Sequence, residues 1–187
     1  MNVYQMNVYQ EISAALAILL YIPLAWQILT GRVKQNLATW ILWWMLDGLA
    51  ALSMFFQDGN WYLPAAYVAG CTLIIGCMVR AKNLAWTNFE TVVSMMVLVC
   101  LIGWATSGPW LATILSTLGV FLAGLAQLKD AWRSPKEMPV LLYFGYFAVN
   151  VISMIGGKGW TVEERLYPGA CAVLCGAITL ASCRKFF

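Results

Sequence analysis

Apolar residues run along this chain in blocks. Each block is close to the roughly 20 residues that a helix needs to cross a bilayer core of about 30 Å. The blocks span residues 12–30, 37–56, 61–79, 89–105, 110–128, 138–155 and 166–183. Turn-forming or charged residues separate them: Gly31-Arg32, Asp58-Gly59-Asn60, Ala81-Lys82-Asn83, Ser107-Gly108-Pro109, Ser134-Pro135-Lys136 and Gly156-Gly157-Lys158-Gly159. These residues favour turns for chemical reasons, so each boundary has a cause. The pattern predicts an all-α membrane protein of seven transmembrane helices.

Charge then orients the spans. Arg32, Lys34, Arg80, Lys82, Lys129, Arg133, Lys136, Arg184 and Lys185 fall on alternate breaks and the tail, while Lys158 and Arg165 fall on the other side with Glu163 and Glu164 between them. The positive-inside rule places the first set in the cytoplasm, with the N-terminus outside and the C-terminus inside. An odd number of spans satisfies this alternation. Trp61, Trp104, Trp110 and Trp160 gather at the expected outer boundary and Trp86 and Trp132 at the inner one, as aromatic belts do. The expected location is the cell (inner or plasma) membrane.

Composition agrees. The chain is 62% hydrophobic and 10% charged, too few polar groups to cover a soluble domain, and its mean hydropathy is +0.76. The net charge of +3 is mild, and no basic stretch reads as a nucleic-acid footprint. The start, Met1 to Gln5, recurs as Met6 to Gln10. It does not read as a signal peptide, because Glu11 sits at the edge of the first apolar run and no basic region precedes it. There is no histidine, and the six cysteines form no CxxC pair, so no metal or cofactor site is expected. The cysteines read as small packing residues, although Cys183 near the end is open to lipidation in a suitable host.

The chain also repeats itself. Gln27 and Gln127 each close a span before a basic loop, and Ser53-Met54 recurs as Ser153-Met154 at the same offset. After a short insertion, Pro64, Cys71 and Arg80 are matched by Pro168, Cys175 and Arg184. In order, on three consecutive helices, these matches argue for duplication. The expected units are a first three-helix repeat at 12–80, a linker helix at 89–105 and a second three-helix repeat at 110–184. Separated by one span, the two units share an orientation and form a parallel repeat.

Asp47 is the ionisable residue placed well inside a span. A carboxylate at the bilayer centre costs about 2.5–3.5 kcal/mol on insertion scales. No Lys or Arg lies within a span to pair with it, so it faces a wet cavity or carries a proton part of the time. A structural alternative is a helix–helix hydrogen bond. Helical spacing puts Trp40, Trp43 or Trp44, Asp47 and Ala51 on one face, and Pro139, Tyr143, Tyr146 and Asn150 on a face of the sixth helix. Two such stripes can clamp a flat solute, with rings for contact and Asp47 and Asn150 for hydrogen bonds. They can equally pack the bundle.

With these features in place the chain resembles the SWEET/PQ-loop superfamily of seven-helix, three-one-three proteins over nearly its whole length. Pro23-Leu24-Ala25-Trp26-Gln27, followed by Gly31-Arg32-Val33-Lys34-Gln35-Asn36, looks like a PQ-loop signature with Gln27 at the glutamine. Trp26 and Ala126 stand where the adjacent proline falls in that family, and Ala69 and Val173 where sugar-carrying members show asparagine. The segment Trp40-Ile41-Leu42-Trp43-Trp44-Met45-Leu46-Asp47 resembles the tryptophan-rich helix of the nicotinamide riboside (PnuC) transporters, which share the fold. The resemblance implies a transporter that moves a small solute by alternating access, with Pro23, Gln27 and Gln127 at hinge or gate positions. The implied substrate is a sugar, nucleoside or vitamin precursor or similar small polar ring compound, with amino acids also left open, and Asp47 binds it or a coupling proton. Oligomeric state stays open. The alternative is a non-transporting receptor or accessory subunit of the same shape, since fold does not dictate function. An enzyme is not expected, for want of a nucleophile–base pair.

Overall fold

The computed structural model describes residues 8–31, 37–79 and 88–186, apart from the Glu137 side chain. The loop residues 32–36 of the PQ-like segment, Arg80, Lys82 and Trp86 lie outside the described residues, as does most of the repeated start. The rest is helical: α1 (Val8–Leu29), α2 (Leu37–Phe55), α3 (Tyr62–Val79), α4 (Asn88–Arg133), α5 (Val140–Ile155) and α6 (Val162–Cys183), with 3-10 turns at Pro135–Glu137 and Arg184–Phe186. Among the described residues no strand is formed. Five helices, α1 to α4 and α6, are long and apolar enough to cross a membrane, while α5 is a shorter apolar helix. Val92, Met95, Val99 and Ile102 are more than half exposed along the outside of α4, a face that suits lipid.

Two expected spans, 89–105 and 110–128, fall in the two helical arms of Asn88–Arg133, labelled together α4. Gly108 interrupts it with φ 81° and ψ −174°, a conformation open in practice to glycine alone. The next residue is Pro109, whose fixed φ and missing N–H suit the start of a new helical arm. The path reverses there. A Cβ on Gly103 would lie 2.5 Å from Leu115 Cδ1, whereas a straight helix would hold residues 103 and 115 about 18 Å apart. Both arms line α2. Thr39 Oγ1 donates to Glu90 Oε1 at 2.7 Å near one end of α2, and Gln57 Nε2 donates to Thr113 Oγ1 at 2.7 Å near the other.

Helix packing follows a regular pattern. α1 and α2 each pack on α3, and α4 and α5 each pack on α6; α1 also meets α5, and α2 meets α4. In lipid, such contacts rest on close packing rather than on water exclusion, so small residues matter at the crossings. Gly124 admits Leu174, Gly119 admits Leu46, and Gly70 lies under the Tyr21 ring. The largest buried cluster joins α1, α2, α3, α5 and α6, through residues such as Ala17, Ala50, Met54, Leu63, Ile74 and Tyr167.

The bundle has two chemically distinct ends. At one, Arg184 lies 4.0 Å over the Trp132 ring and donates to the Trp132 carbonyl, and Lys185 Nζ donates to the Met138 carbonyl. This basic end also holds Gln27 and Gln127. At the other, Arg165 lies 4.2 Å over the Trp160 ring, near Asn60, Lys158 and Glu164.

Candidate functional site

A cavity of about 350 Å³ opens between the helices. All six contribute: Tyr21, Leu24 and Gln27 from α1, Trp40, Trp43 and Asp47 from α2, and Tyr67 from α3. The second arm of α4 supplies Val120, Gly124 and Gln127. Met138 and Pro139 precede α5, which adds Leu142, Tyr143 and Tyr146, and α6 adds Tyr167, Cys171, Leu174, Cys175 and Ile178.

Accessibility falls along the cavity. Gln27, Gln127, Pro139, Tyr143 and Trp43 are partly exposed, whereas Asp47, Tyr67 and Tyr167 are 5%, 7% and 0% exposed. Among the described residues the cavity thus opens toward the basic end and narrows to the buried Tyr67 and Tyr167. Beyond that floor Met54, Leu63, Asn150 and Ser153 are all 0% exposed.

Its walls are aromatic. Trp43 meets Trp40 at 5.5 Å between ring centroids, Trp40 meets Tyr21 at 6.2 Å, and Tyr21 meets Tyr146 at 5.6 Å. Tyr67 then joins Tyr146 at 5.9 Å and Tyr167 at 6.3 Å, and Tyr143 joins Tyr146 at 6.4 Å. Apart from the tilted Tyr67–Tyr167 pair, these contacts are edge-on, the geometry that aromatic quadrupoles favour.

Polar groups are few. Asp47 Oδ1 accepts a hydrogen bond from Tyr167 Oη at 2.6 Å, within the roughly 2.5–2.7 Å typical of a hydroxyl bound to a carboxylate. Among the described residues no Lys or Arg lines the cavity. Trp43 Nε1 is buried and finds no hydrogen-bond partner among the described residues, while the Tyr146 hydroxyl lies beside that of Tyr21. A buried donor left unpaired costs about 1–3 kcal/mol, so the Trp43 N–H on the cavity wall fits a site that a polar solute completes.

The expected site residues divide clearly. Trp40, Trp43, Asp47, Tyr143, Tyr146, Gln27 and Gln127 all line the cavity. The choice between Trp43 and Trp44 falls to Trp43, because Trp44 faces outward at 42% exposure and donates from Nε1 to Thr72 Oγ1 at 3.0 Å. Asn150 lies one turn beyond the floor. Its Nδ2 donates to Tyr67 Oη at 2.6 Å and to the Tyr146 backbone carbonyl one turn back at 2.8 Å, so it positions the Tyr67 hydroxyl and does not line the wall itself. Pro23 is exposed on the outer side of α1, away from the cavity.

Tyr21, Tyr67 and Tyr167 went unpredicted, as did the cavity-facing thiols Cys171 and Cys175. A tyrosine within an apolar span signals a hydroxyl that needs a partner, and that signal could have found all three. The fold and site define a multi-pass α-helical membrane protein with a blind, aromatic-walled cavity. Compared with known protein families, curated proteins and solved structures, the chain matches none.

Proposed function

We propose that this protein is a carrier for a small, ring-containing solute that is neutral or cationic, bound between Trp43, Tyr146 and Asp47. The buried cavity with one carboxylate, an indole N–H without a hydrogen-bond partner and no basic residue, all among the described residues, carries the reading. At about 350 Å³ it falls at the lower end of the range for small-molecule sites. An anionic solute would meet Asp47 with no compensating charge in a low-dielectric wall, which disfavours phosphorylated compounds.

Internal symmetry supports a carrier of the three-one-three type. Counting each arm of α4 as a crossing gives seven spans. Leu24 and Gly124, Gln27 and Gln127, and Trp43 and Tyr143 are each 100 residues apart and line one cavity. Tyr67 and Cys171 share the later offset set by Pro64 and Pro168, and they line it too. The packing of α1 and α2 on α3 has its counterpart in α4 and α5 on α6, and α1 on α5 has its counterpart in α2 on α4. A parallel repeat related by an axis along the membrane normal produces such pairs, with the solute site between the halves. The SWEET-like resemblance agrees with this arrangement. With the basic end in the cytoplasm, the cavity faces inward.

The test is a thermal-shift screen of purified protein against nucleosides, sugars, vitamin precursors and amino acids. A true ligand at 100 times its Kd stabilises the fold by about 2.7 kcal/mol. A ring-containing, non-anionic compound is expected to stabilise the wild type and to lose that effect with Asp47→Asn. Stabilisation by phosphorylated compounds alone, or undiminished in Asp47→Asn, would contradict the assignment.

A further inference from the structure

Beyond the cavity floor, the two halves are tied together by a buried polar cluster. Gln10, near the start of α1, is 1% exposed and donates from Nε2 to Glu164 Oε2 at 3.1 Å and to the Gly156 carbonyl at 3.2 Å. Asn60, between α2 and α3, is 0% exposed. Its Nδ2 donates to Ser153 Oγ at 2.9 Å, to the Ser153 carbonyl at 3.1 Å and to the Glu164 carbonyl at 3.4 Å. The Asn60 backbone N–H donates to the Glu163 carbonyl at 3.0 Å. Every one of these bonds runs from the first half of the chain to the second.

Glycines let the backbones meet. A Cβ on Gly59 would fall 2.6 Å from the Glu163 carbonyl oxygen, and one on Gly156 would fall 2.8 Å from Tyr9 Cβ. At the basic end Thr39 Oγ1 donates to Glu90 Oε1 at 2.7 Å and Gln127 Nε2 reaches Met138 Sδ at 4.0 Å, and neither of these bonds joins the first three-helix unit to the second. The cluster also has bonds to spare. Gln10 Oε1 and Asn60 Oδ1 are buried without a hydrogen-bond partner among the described residues. A half-satisfied buried network is weaker than its count of groups suggests, which suits a contact that must part.

We propose that Gln10, Asn60, Ser153 and Glu164 form the outer gate: their hydrogen bonds close the cavity at the Asn60 end and must break before solute can enter or leave there. The inference rests on the carrier reading and assigns the gate to residues outside the cavity. Glu164 is its centre, because its side chain takes the Gln10 amide and the Lys158 backbone N–H at 3.1 Å each, and its carbonyl takes Asn60.

Cys175 lines the cavity and reports on access to it. In sealed vesicles of known orientation, a membrane-impermeant methanethiosulfonate is applied from either side. Mass spectrometry of the Cys175 peptide reads the modification, with no solute present. Wild-type protein is expected to react from the basic end at least tenfold faster than from the Asn60 end. Gln10→Ala and Glu164→Ala are expected to raise the rate from the Asn60 end by tenfold or more. A purely structural cluster would lower the melting temperature and leave the sidedness unchanged, and that result overturns the proposal.

Should Glu164→Ala fail to fold, Gln10→Ala carries the test together with a closed form. In that form Asn60→Cys and Ser153→Cys, added to Gln10→Ala, are bridged by a short bifunctional thiosulfonate. The bridge is expected to restore protection from the Asn60 end and leave labelling from the basic end intact. Equal labelling from both ends in wild type, or no effect of the bridge, also overturns it. Sidedness is read without transport, so an uptake failure separates the carrier reading from the gate.

Discussion

Removing one hydroxyl tests whether Asp47 is held as a buried carboxylate. Tyr167 is 0% exposed and its Oη lies 2.6 Å from Asp47 Oδ1, while no basic side chain among the described residues lines the cavity. Tyr167→Phe keeps the ring and leaves the carboxylate without this donor. A hydrogen bond to a charged group contributes about 1.5–3 kcal/mol, against about 0.5–1.5 kcal/mol between neutral groups. The single variant should therefore lose about 1.5–3 kcal/mol. In an Asp47→Asn background the same change should lose only the neutral amount, giving a coupling of about 1 kcal/mol or more between the two sites.

The assay is a double-mutant cycle from denaturant unfolding in detergent, with all four proteins in one micelle. Residues this close should couple, since additivity to within about 0.5 kcal/mol belongs to distant, independent sites. Additive changes of that kind, or a Tyr167→Phe protein as stable as wild type, would show that the bond does not hold a charge. The carboxylate would then be a weak candidate for solute recognition.

Three further substitutions probe separate parts of the account. Trp43→Phe removes an indole N–H with no hydrogen-bond partner among the described residues, which offsets the lost ring volume, so stability should stay within about 1–2 kcal/mol of wild type, while affinity for the solute found by thermal shift falls about threefold to tenfold, the equivalent of a neutral hydrogen bond. Equal affinity in calorimetry would remove Trp43 from the site. Gly108→Ala forces a side chain onto φ 81°, ψ −174° and should destabilise the fold-back by about 1–3 kcal/mol in the same unfolding assay; an unchanged midpoint would contradict the strained turn. Gly70→Ala places Cβ against the Tyr21 ring and should cost about 1–3 kcal/mol by overpacking and weaken solute binding, because Tyr21 is pushed toward the cavity. Unaltered stability and binding would show that the ring has room to move.

Much of this was legible before any coordinates, for physical reasons. The bilayer imposes a length on each apolar run, and Gly31, Asp58 to Asn60 and Gly156 to Gly159 sit where helices end. Ser107-Gly108-Pro109 marked a break that a continuous helical assignment across α4 would conceal. Asp47 stood out because a carboxylate in hydrocarbon demands a reason. Other features depend on distant packing. Helical spacing alone could not choose between Trp43 and Trp44, which differ by about 100° of rotation, until Thr72 on α3 claimed the Trp44 indole. Asn150 shares a face with Tyr146, but where the cavity ends is set by Tyr67 from another helix. Gln10 lay before the expected start of the first span. Its role appears only once α1 begins at Val8 and meets Glu164, far along the chain.

The central claim is that solute held at Asp47 crosses the membrane. Proteoliposomes containing wild type, Asp47→Asn or no protein are incubated with a pool of nucleosides, sugars, vitamin precursors and amino acids. Their contents are then measured by mass spectrometry. We predict that at least one ring-containing, non-anionic compound accumulates in wild-type vesicles about tenfold or more above both controls, the loss expected from removing roughly 1.4 kcal/mol of recognition. Equal accumulation in Asp47→Asn vesicles, or none in wild type of a compound shown to bind it, would contradict the account.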